Sequence, residues 1–258
     1  MDLQLSHRKA LVLGASRGIG AAIVSAFLQE GAQVHAVARG AQGLAELPAS
    51  PRLSRHAIDL TQPGALAQAL PAIGPIDHLV LCVSALATAQ PGDWQAAWQD
   101  TWHTDILATL SAIEDCLPWL QGSDAASIVY VGSRASQVQA PGSEAYGAGK
   151  AALNMLTRDL AGEFAPLVRV NAILVGGVAT QGLEVVLTDD ALRAQFEANT
   201  PMRRPGTPRD IACAALYLAS PASSWVTGSL MKVDGGVERP AIDVPAPPLV
   251  PSAPSAPS

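Results

Sequence analysis

The chain has 258 residues, a formal net charge of −6 and a hydrophobic fraction of 49%. That length suits one large α/β domain with a sizeable core better than two small ones. The acidic balance argues against nucleic acid or an anionic membrane surface as partner, and no apolar run reaches the roughly 18 residues that span a bilayer.

The opening stretch, Met1 to Lys9, leads directly into a strand-like run without a signal peptide's long apolar core, so a cytoplasmic location is the expectation. Lys9 to Leu13 predicts a first strand, which ends in Gly14-Ala-Ser-Arg-Gly-Ile-Gly20. Helical periodicity through Ala22, Ile23, Ala26 and Phe27 follows and stops at Gly31. Gln33 to Ala38 predicts a second strand, with a short helix near Leu44 after it. Arg55 to Leu60 predicts a third strand, Gly64 to Leu70 a helix, and Asp77 to Val83 a fourth strand that is apolar throughout its middle. A long helical region runs from Asp93 to about Leu120. Ser127 to Gly132 reads as a buried strand, and the segment from Ser143 through Tyr146 and Lys150 as a helix with Ser143 as N-cap. Val168 to Leu174 predicts another strand. Strands that alternate with helices and are apolar on both faces predict a Rossmann-type, doubly wound parallel sheet with helices on both faces, in a single α/β domain over residues 1–239. The final 19 residues, from Pro240, carry seven prolines among Ala, Ser and Val, and read as a disordered tail.

Two stretches carry chemistry. Gly14, Gly18 and Gly20 sit where the first strand turns into the first helix, where bare backbone and a helix N-terminus can hold a pyrophosphate. An acid about 20 positions on would bind the ribose hydroxyls of NAD. Here Ala36-Val37-Ala38-Arg39-Gly40 offers none, and Arg39, with Arg17 in the Gly-rich turn, suits the 2′-phosphate of NADP(H). The same turn matches the G-x-S-x-G elbow of a serine hydrolase, with Ser16 as nucleophile. An elbow on the first strand, however, has no earlier strand to complete its oxyanion hole. In the second stretch, Tyr146 lies thirteen residues after Ser133 and four before Lys150. Residues four apart share a helix face, and an ammonium beside a phenol favours the phenolate. Such a tyrosine exchanges a proton with a carbonyl or alcohol oxygen, which a serine hydroxyl can hold. The five histidines and three cysteines are scattered without metal-ligand spacing, and the cysteines read as reduced, packed thiols.

Together these pieces resemble the short-chain dehydrogenase/reductase family from about Lys9 to Gly236. The carriers are residues 14–20, Asp59-Leu60-Thr61, Ser133, Tyr146-x-x-x-Lys150, Asn171, and Thr227-Gly228 through Val233-Asp234-Gly235-Gly236. The resemblance implies hydride transfer between NADP(H) and a small carbonyl or alcohol, commonly in a homotetramer. It implies a catalytic set of Ser133, Tyr146, Lys150 and Asp105. The nucleotide would meet Gly14, Ser16, Arg17, Gly18, Ile19, Gly20, Arg39, Asp59, Leu60, Ser84, Tyr146, Lys150, Gly176, Val178 and Thr180. Within that set, Asp59 and Leu60 would hold the adenine, and Lys150 also the nicotinamide ribose.

Three departures stand out. Leu81-Cys82-Val83-Ser84 replaces the usual Asn-Asn-Ala-Gly, Asp105 replaces a helix Asn, and Val175-Gly176 replaces Pro-Gly. An Asp105 carboxylate near Lys150 would keep the lysine charged and repel a tyrosinate, which predicts a more alkaline activity profile than Asn would give. The departures also motivate a rival reading, a catalytically weak nucleotide-binding regulatory or scaffold protein on the same fold. By resemblance, residues 176–203 form the substrate loop and lid, whose Leu183, Val185, Val186, Leu187 and Phe196 hint at an apolar substrate. Arg134 and Arg203 are candidates to meet a charged substrate group. Trp94, Trp98 and Trp102, four residues apart, predict a packed or subunit-facing stripe.

Overall fold

A computed structural model describes residues 2–85, 94–139 and 143–242 of the chain. Among these, β1 (Lys9–Leu13), β2 (Gln33–Ala38), β3 (Leu53–Ala57), β4 (His78–Leu81), β5 (Ser127–Ser133), β6 (Arg169–Val175) and β7 (Leu230–Val233) form one sheet. All pairs are parallel, in the order β3-β2-β1-β4-β5-β6-β7. The helices are α1 (Gly18–Gln29), α2 (Ala41–Ala45), α3 (Ala65–Ile73), α4 (Trp94–Thr101), α5 (Ala108–Leu120), α6 (Glu144–Phe164), α7 (Glu184–Thr188), α8 (Asp190–Asn199) and α9 (Pro208–Ala219). A π-helical stretch, Trp102–Leu107, joins α4 to α5.

Side chains alternate across the sheet, so each strand feeds two cores. Val12, Val34, Val80 and Val129 pack on one face with Ile23 and Phe27 of α1 and Ile211 and Leu218 of α9. Leu11, Leu13, Leu79, Leu81 and Ile128 pack on the other with Leu70 of α3, Cys116 of α5 and Leu153 of α6. Truncating a fully buried side chain such as Phe27 would cost about 3–5 kcal/mol. The strand order reverses beside β1, between its neighbours β2 and β4, and the crevice outside the carboxyl ends there is where such sheets bind ligands.

The structure shifts several expectations. The third strand runs over Leu53–Ala57 and not to Leu60. Its register against β2 (Val34↔Leu53 to Ala38↔Ala57) sets the span, and a turn in which Asp59 accepts from the Thr61 N–H at 3.0 Å ends it. Ser143 stands at the N-cap of α6, but its side chain makes no capping bond. Helix α9 and strand β7 extend the predicted set. The Thr207/Asp210 capping box and Pro208 at the start of α9 are sequence signals that mark it. Cys116 is buried, but Cys213 is exposed on α9. Trp98 and Trp102 are 42% and 50% exposed, while the side chain of Trp94 lies outside the described residues, as do residues 243–258 of the Pro-rich tail. Among the described residues no helix is long and apolar enough to cross a membrane, and no group of three or more His, Cys, Asp or Glu could hold a metal ion.

Candidate active site

A cleft of about 1060 Å³ opens at the carboxyl ends of the central strands. Its glycine floor is set by close backbone approaches. Gly14 has φ +80°, and a Cβ there would lie 2.3 Å from the Cys82 carbonyl oxygen; a Cβ on Gly20 would lie 2.1 Å from the Gly14 carbonyl oxygen. Helix α1 starts at Gly18, its N-cap Arg17 makes no side-chain capping bond, and its first turn has no acid. The N–H groups of Gly18 and Ile19 and the positive end of the helix dipole are thus left for an anion. Bare backbone and an uncapped helix start fit a nucleotide pyrophosphate. Ser16, Ile19, Arg39 and Leu60 line the cleft as well. Asp59 also lines it; the Thr61 hydroxyl (2.7 Å) and N–H hold its carboxyl below the usual range, with Arg39 adding a smaller pull. Arg17 bridges the cleft mouth, its guanidinium donating to Gln181 Oε1.

The departure at Leu81–Ser84 does not break this end. Cys82 N–H donates to the Leu13 carbonyl at 2.9 Å, so backbone braces β4 against β1. Burial pushes the Cys82 thiol up to about 11, with Lys150 and the Gly20 N–H pulling the other way.

The chemical end is built by β5 and α6. β5 delivers Ser133, whose Oγ accepts from the Ala135 N–H at 3.1 Å, which leaves its own O–H to donate into the cleft. Behind it, Asn154 Nδ2 donates to Ser136 Oγ at 2.7 Å, and the Ser136 hydroxyl donates to the Ser133 carbonyl at 2.5 Å. Glycines seat the helix: a Cβ on Gly147 would lie 2.8 Å from the Ala135 carbonyl oxygen, and one on Gly149 would lie 2.7 Å from Thr101 Cγ2. This close seating brings half-buried Tyr146 and fully buried Lys150 to the cleft.

Lys150 Nζ is 3.1 Å from Asp105 Oδ2 and donates to the Val83 carbonyl at 3.3 Å. It lies 5.5 Å from the centroid of the Tyr146 ring and 5.2 Å from that of Tyr130. Burial opposes its charge, but the Tyr130 and Tyr146 phenols and the Asp105 carboxylate outweigh burial and raise its pKa above the ordinary lysine value. Both Asp105 oxygens are engaged, Oδ1 by the Ala85 N–H at 2.7 Å and Oδ2 by the Ser84 hydroxyl at 3.3 Å as well as by Lys150. A phenol beside a fixed ammonium, with a serine hydroxyl donated into the same cleft, can hold an oxygen and pass it a proton.

Every nucleotide residue expected from the sequence, together with Ser133, Tyr146 and Lys150, lines this one cleft, Ser84, Gly176, Val178 and Thr180 included. Asp105 does not; it is buried behind Lys150. Arg134 and Arg203 do not meet the cleft either. Arg134 is buried against Asp234 at 2.7 Å and donates to the Val237 carbonyl at 2.7 Å, and exposed Arg203 donates to the Ala198 carbonyl. The sequence reading missed Tyr130, the Val83 carbonyl and Gln181. Gln181 lies within the lid segment and Val83 within the Leu81–Ser84 stretch, whereas Tyr130 belongs to no recognised motif.

Residues 14–238 match the family model described as enoyl-(acyl carrier protein) reductase. An uncharacterized oxidoreductase of Mycobacterium tuberculosis is 38% identical, covering 95% of this chain and 98% of its own. The 2-(S)-hydroxypropyl-CoM dehydrogenase 3 of Xanthobacter autotrophicus is 33% identical over 92% of this chain and 99% of its own. Among solved structures, the Pseudomonas aeruginosa RhlG/NADP active-site complex is 30% identical with a TM-score of 0.85, covering 91% of this chain and 97% of its own. An NADPH-bound short chain oxidoreductase of Pseudomonas aeruginosa PAO1, described as containing an atypical catalytic center, is 30% identical with a TM-score of 0.81 over 89% of this chain and 96% of its own.

Proposed function

This chain belongs to the short-chain dehydrogenase/reductase family of oxidoreductases, and from that footing we propose that it transfers hydride between NADP(H) and a small, apolar carbonyl or alcohol, ketone or aldehyde reduction being the favoured direction. The observation that carries the reading is convergence: the glycine floor, Arg39, Ser133, Tyr146 and Lys150 share one cleft. NADP(H) supplies the hydride chemistry when bound. The chain's own residues do the rest. The α1 N-terminus and the glycine turn bind the pyrophosphate, and Arg39, at a strand end without an acid, meets the 2′-phosphate. The Ser133 hydroxyl holds the substrate oxygen, and Tyr146 moves a proton to or from it. Lys150 sets the field at Tyr146 and contacts the nicotinamide ribose, and Asp105 holds Lys150 in place. The apolar Val178 and Leu183 in the cleft wall favour an uncharged substrate. A homo-oligomer is the proposed assembly, with exposed Trp98, Trp102, Leu107 and Met155 as its candidate contacts.

The test is fluorescence titration with NADPH and NADH, followed by a carbonyl panel read by nucleotide absorbance. The expected result is at least tenfold tighter NADPH binding, a preference lost in Arg39→Ala, and turnover abolished in Tyr146→Phe. Tight binding without turnover across the panel would favour a regulatory nucleotide-binding protein. Binding of neither nucleotide would overturn the proposal.

A further inference from the structure

Lys150 is one of three lysines in the chain and is only 1% exposed. A buried ammonium is costly unless its charge and its donors are met. Asp105 and the Val83 carbonyl meet it on two sides, at 3.1 and 3.3 Å, and Tyr146 lies on a third. A further side, away from the cleft, is taken by a second phenol ring, Tyr130, which belongs to none of the motifs. It lies on β5, three residues before Ser133, opposite Leu81 of β4 and Ala172 of β6. Its centroid is 5.2 Å from Nζ, the residue is 3% exposed, and its buried hydroxyl finds no partner beyond a pull toward Lys150 itself, which the Phe substitution below separates from the ring. The neighbouring glycine leaves the ring its space, since a Cβ on Gly132 would lie 3.3 Å from Tyr130 Cε1.

We propose that Tyr130 is a positioning residue for the reaction, its ring face closing the cage around the Lys150 ammonium and holding it against Tyr146. The proposal rests on the oxidoreductase reading of Tyr146 and Lys150. A cation within about 6 Å of a ring centroid is drawn to the negative face, most strongly where water is excluded. Burial pushes the Tyr130 phenol above its ordinary value despite the pull of Lys150, so the ring is neutral at working pH. It therefore attracts the ammonium without adding a second negative charge near Tyr146. The groups that face Lys150 are Asp105 from the π-helical stretch, Tyr130 from β5, Tyr146 from α6 and the raised thiol of Cys82 beyond β4. Asp105 supplies the carboxylate of the ion pair. The carboxylate thus neutralises and the ring positions.

The test compares Tyr130→Phe, which keeps the ring, with Tyr130→Leu and Tyr130→Met, which remove it. Met, an unbranched filler, decides where Leu fails to fold. Two readouts are used. With three lysines, ¹⁵N-lysine labelling with Lys9→Arg and Lys232→Arg identifies the Lys150 ammonium signal, whose proton exchange with water is measured at fixed pH. The second is the pH–rate profile. Phe should leave exchange unchanged and keep kcat within about threefold. Leu and Met should speed exchange by about tenfold, lower kcat by about tenfold and displace the activity limb by about one pH unit. Leu and Met indistinguishable from the natural protein would overturn the proposal, as would Phe as damaging as Leu. The exchange measurement needs no substrate. An unsubstituted protein with no turnover therefore removes the oxidoreductase reading, while faster exchange in Leu and Met still upholds the cage.

Discussion

Replacing Asp105 by Asn tests the electrostatics of the site directly. The carboxylate lies 3.1 Å from Lys150 Nζ, and both side chains are buried. Asn keeps the size and one acceptor and removes the charge. Lys150 Nζ is 5.5 Å from the Tyr146 ring centroid. At an effective dielectric of about 20, a unit charge at that distance is worth about 3 kcal/mol, or roughly two pH units of activity profile. The adjacent carboxylate cancels a large part of that field. Its removal should therefore move the limb of alcohol oxidation toward acid by between about one and two pH units. The assay is kcat/KM for oxidation from about pH 6 to about pH 10 in both proteins. Superimposable profiles would refute the reasoning and leave Asp105 with a purely structural place. Asp105→Ala is the companion: an unpaired buried ammonium should cost about 3–5 kcal/mol, seen as a melting point lower by roughly 10 °C.

Gly14→Ala places a Cβ 2.3 Å from the Cys82 carbonyl oxygen at φ +80°, so nucleotide affinity should fall more than about tenfold and the protein should melt earlier; titration and thermal melts check both. His78 is fully buried, with Nδ1 2.9 Å from Ser127 Oγ and Nε2 without a partner among the described residues, and burial lowers its pKa from 6.5 to about 4. The folded chain then binds fewer protons than the unfolded one between those values. The contribution of His78 is whole above pH 6.5 and declines by about 3 kcal/mol as the pH falls to about 4. Urea unfolding at about pH 7.5 and about pH 4.5 should show His78→Gln losing less on acidification than the natural protein; equal losses would reject the assignment.

Local pattern carried β1 and β2, whose observed bounds equal the expected ones because turn residues flank short apolar runs. It misplaced the third strand, whose span depends on pairing with β2, a partner that no local run reveals. The Ser133–Tyr146–Lys150 spacing was legible because one helix face and one strand end encode it. Tyr130 was not, since its contact with Lys150 arises from a ring projecting off a strand toward a helix twenty residues on. Arg134 looked like a substrate anchor for the same reason: its partner Asp234 is visible only once the chain has folded back. Asp105 was found through an alignment of motifs, and its place in a π-helical stretch had no local signal.

The Arg134–Asp234 pair also bears on the order in which a growing chain becomes competent. Arg134 sits in the turn that follows Ser133, yet the Val237 carbonyl that receives its guanidinium is made 103 residues later. Until that segment emerges, a guanidinium destined for the interior has no counter-charge, and the turn that shapes Ser133 has no support from Asp234. The serine's turn is therefore finished only by the last stretch of the folded body.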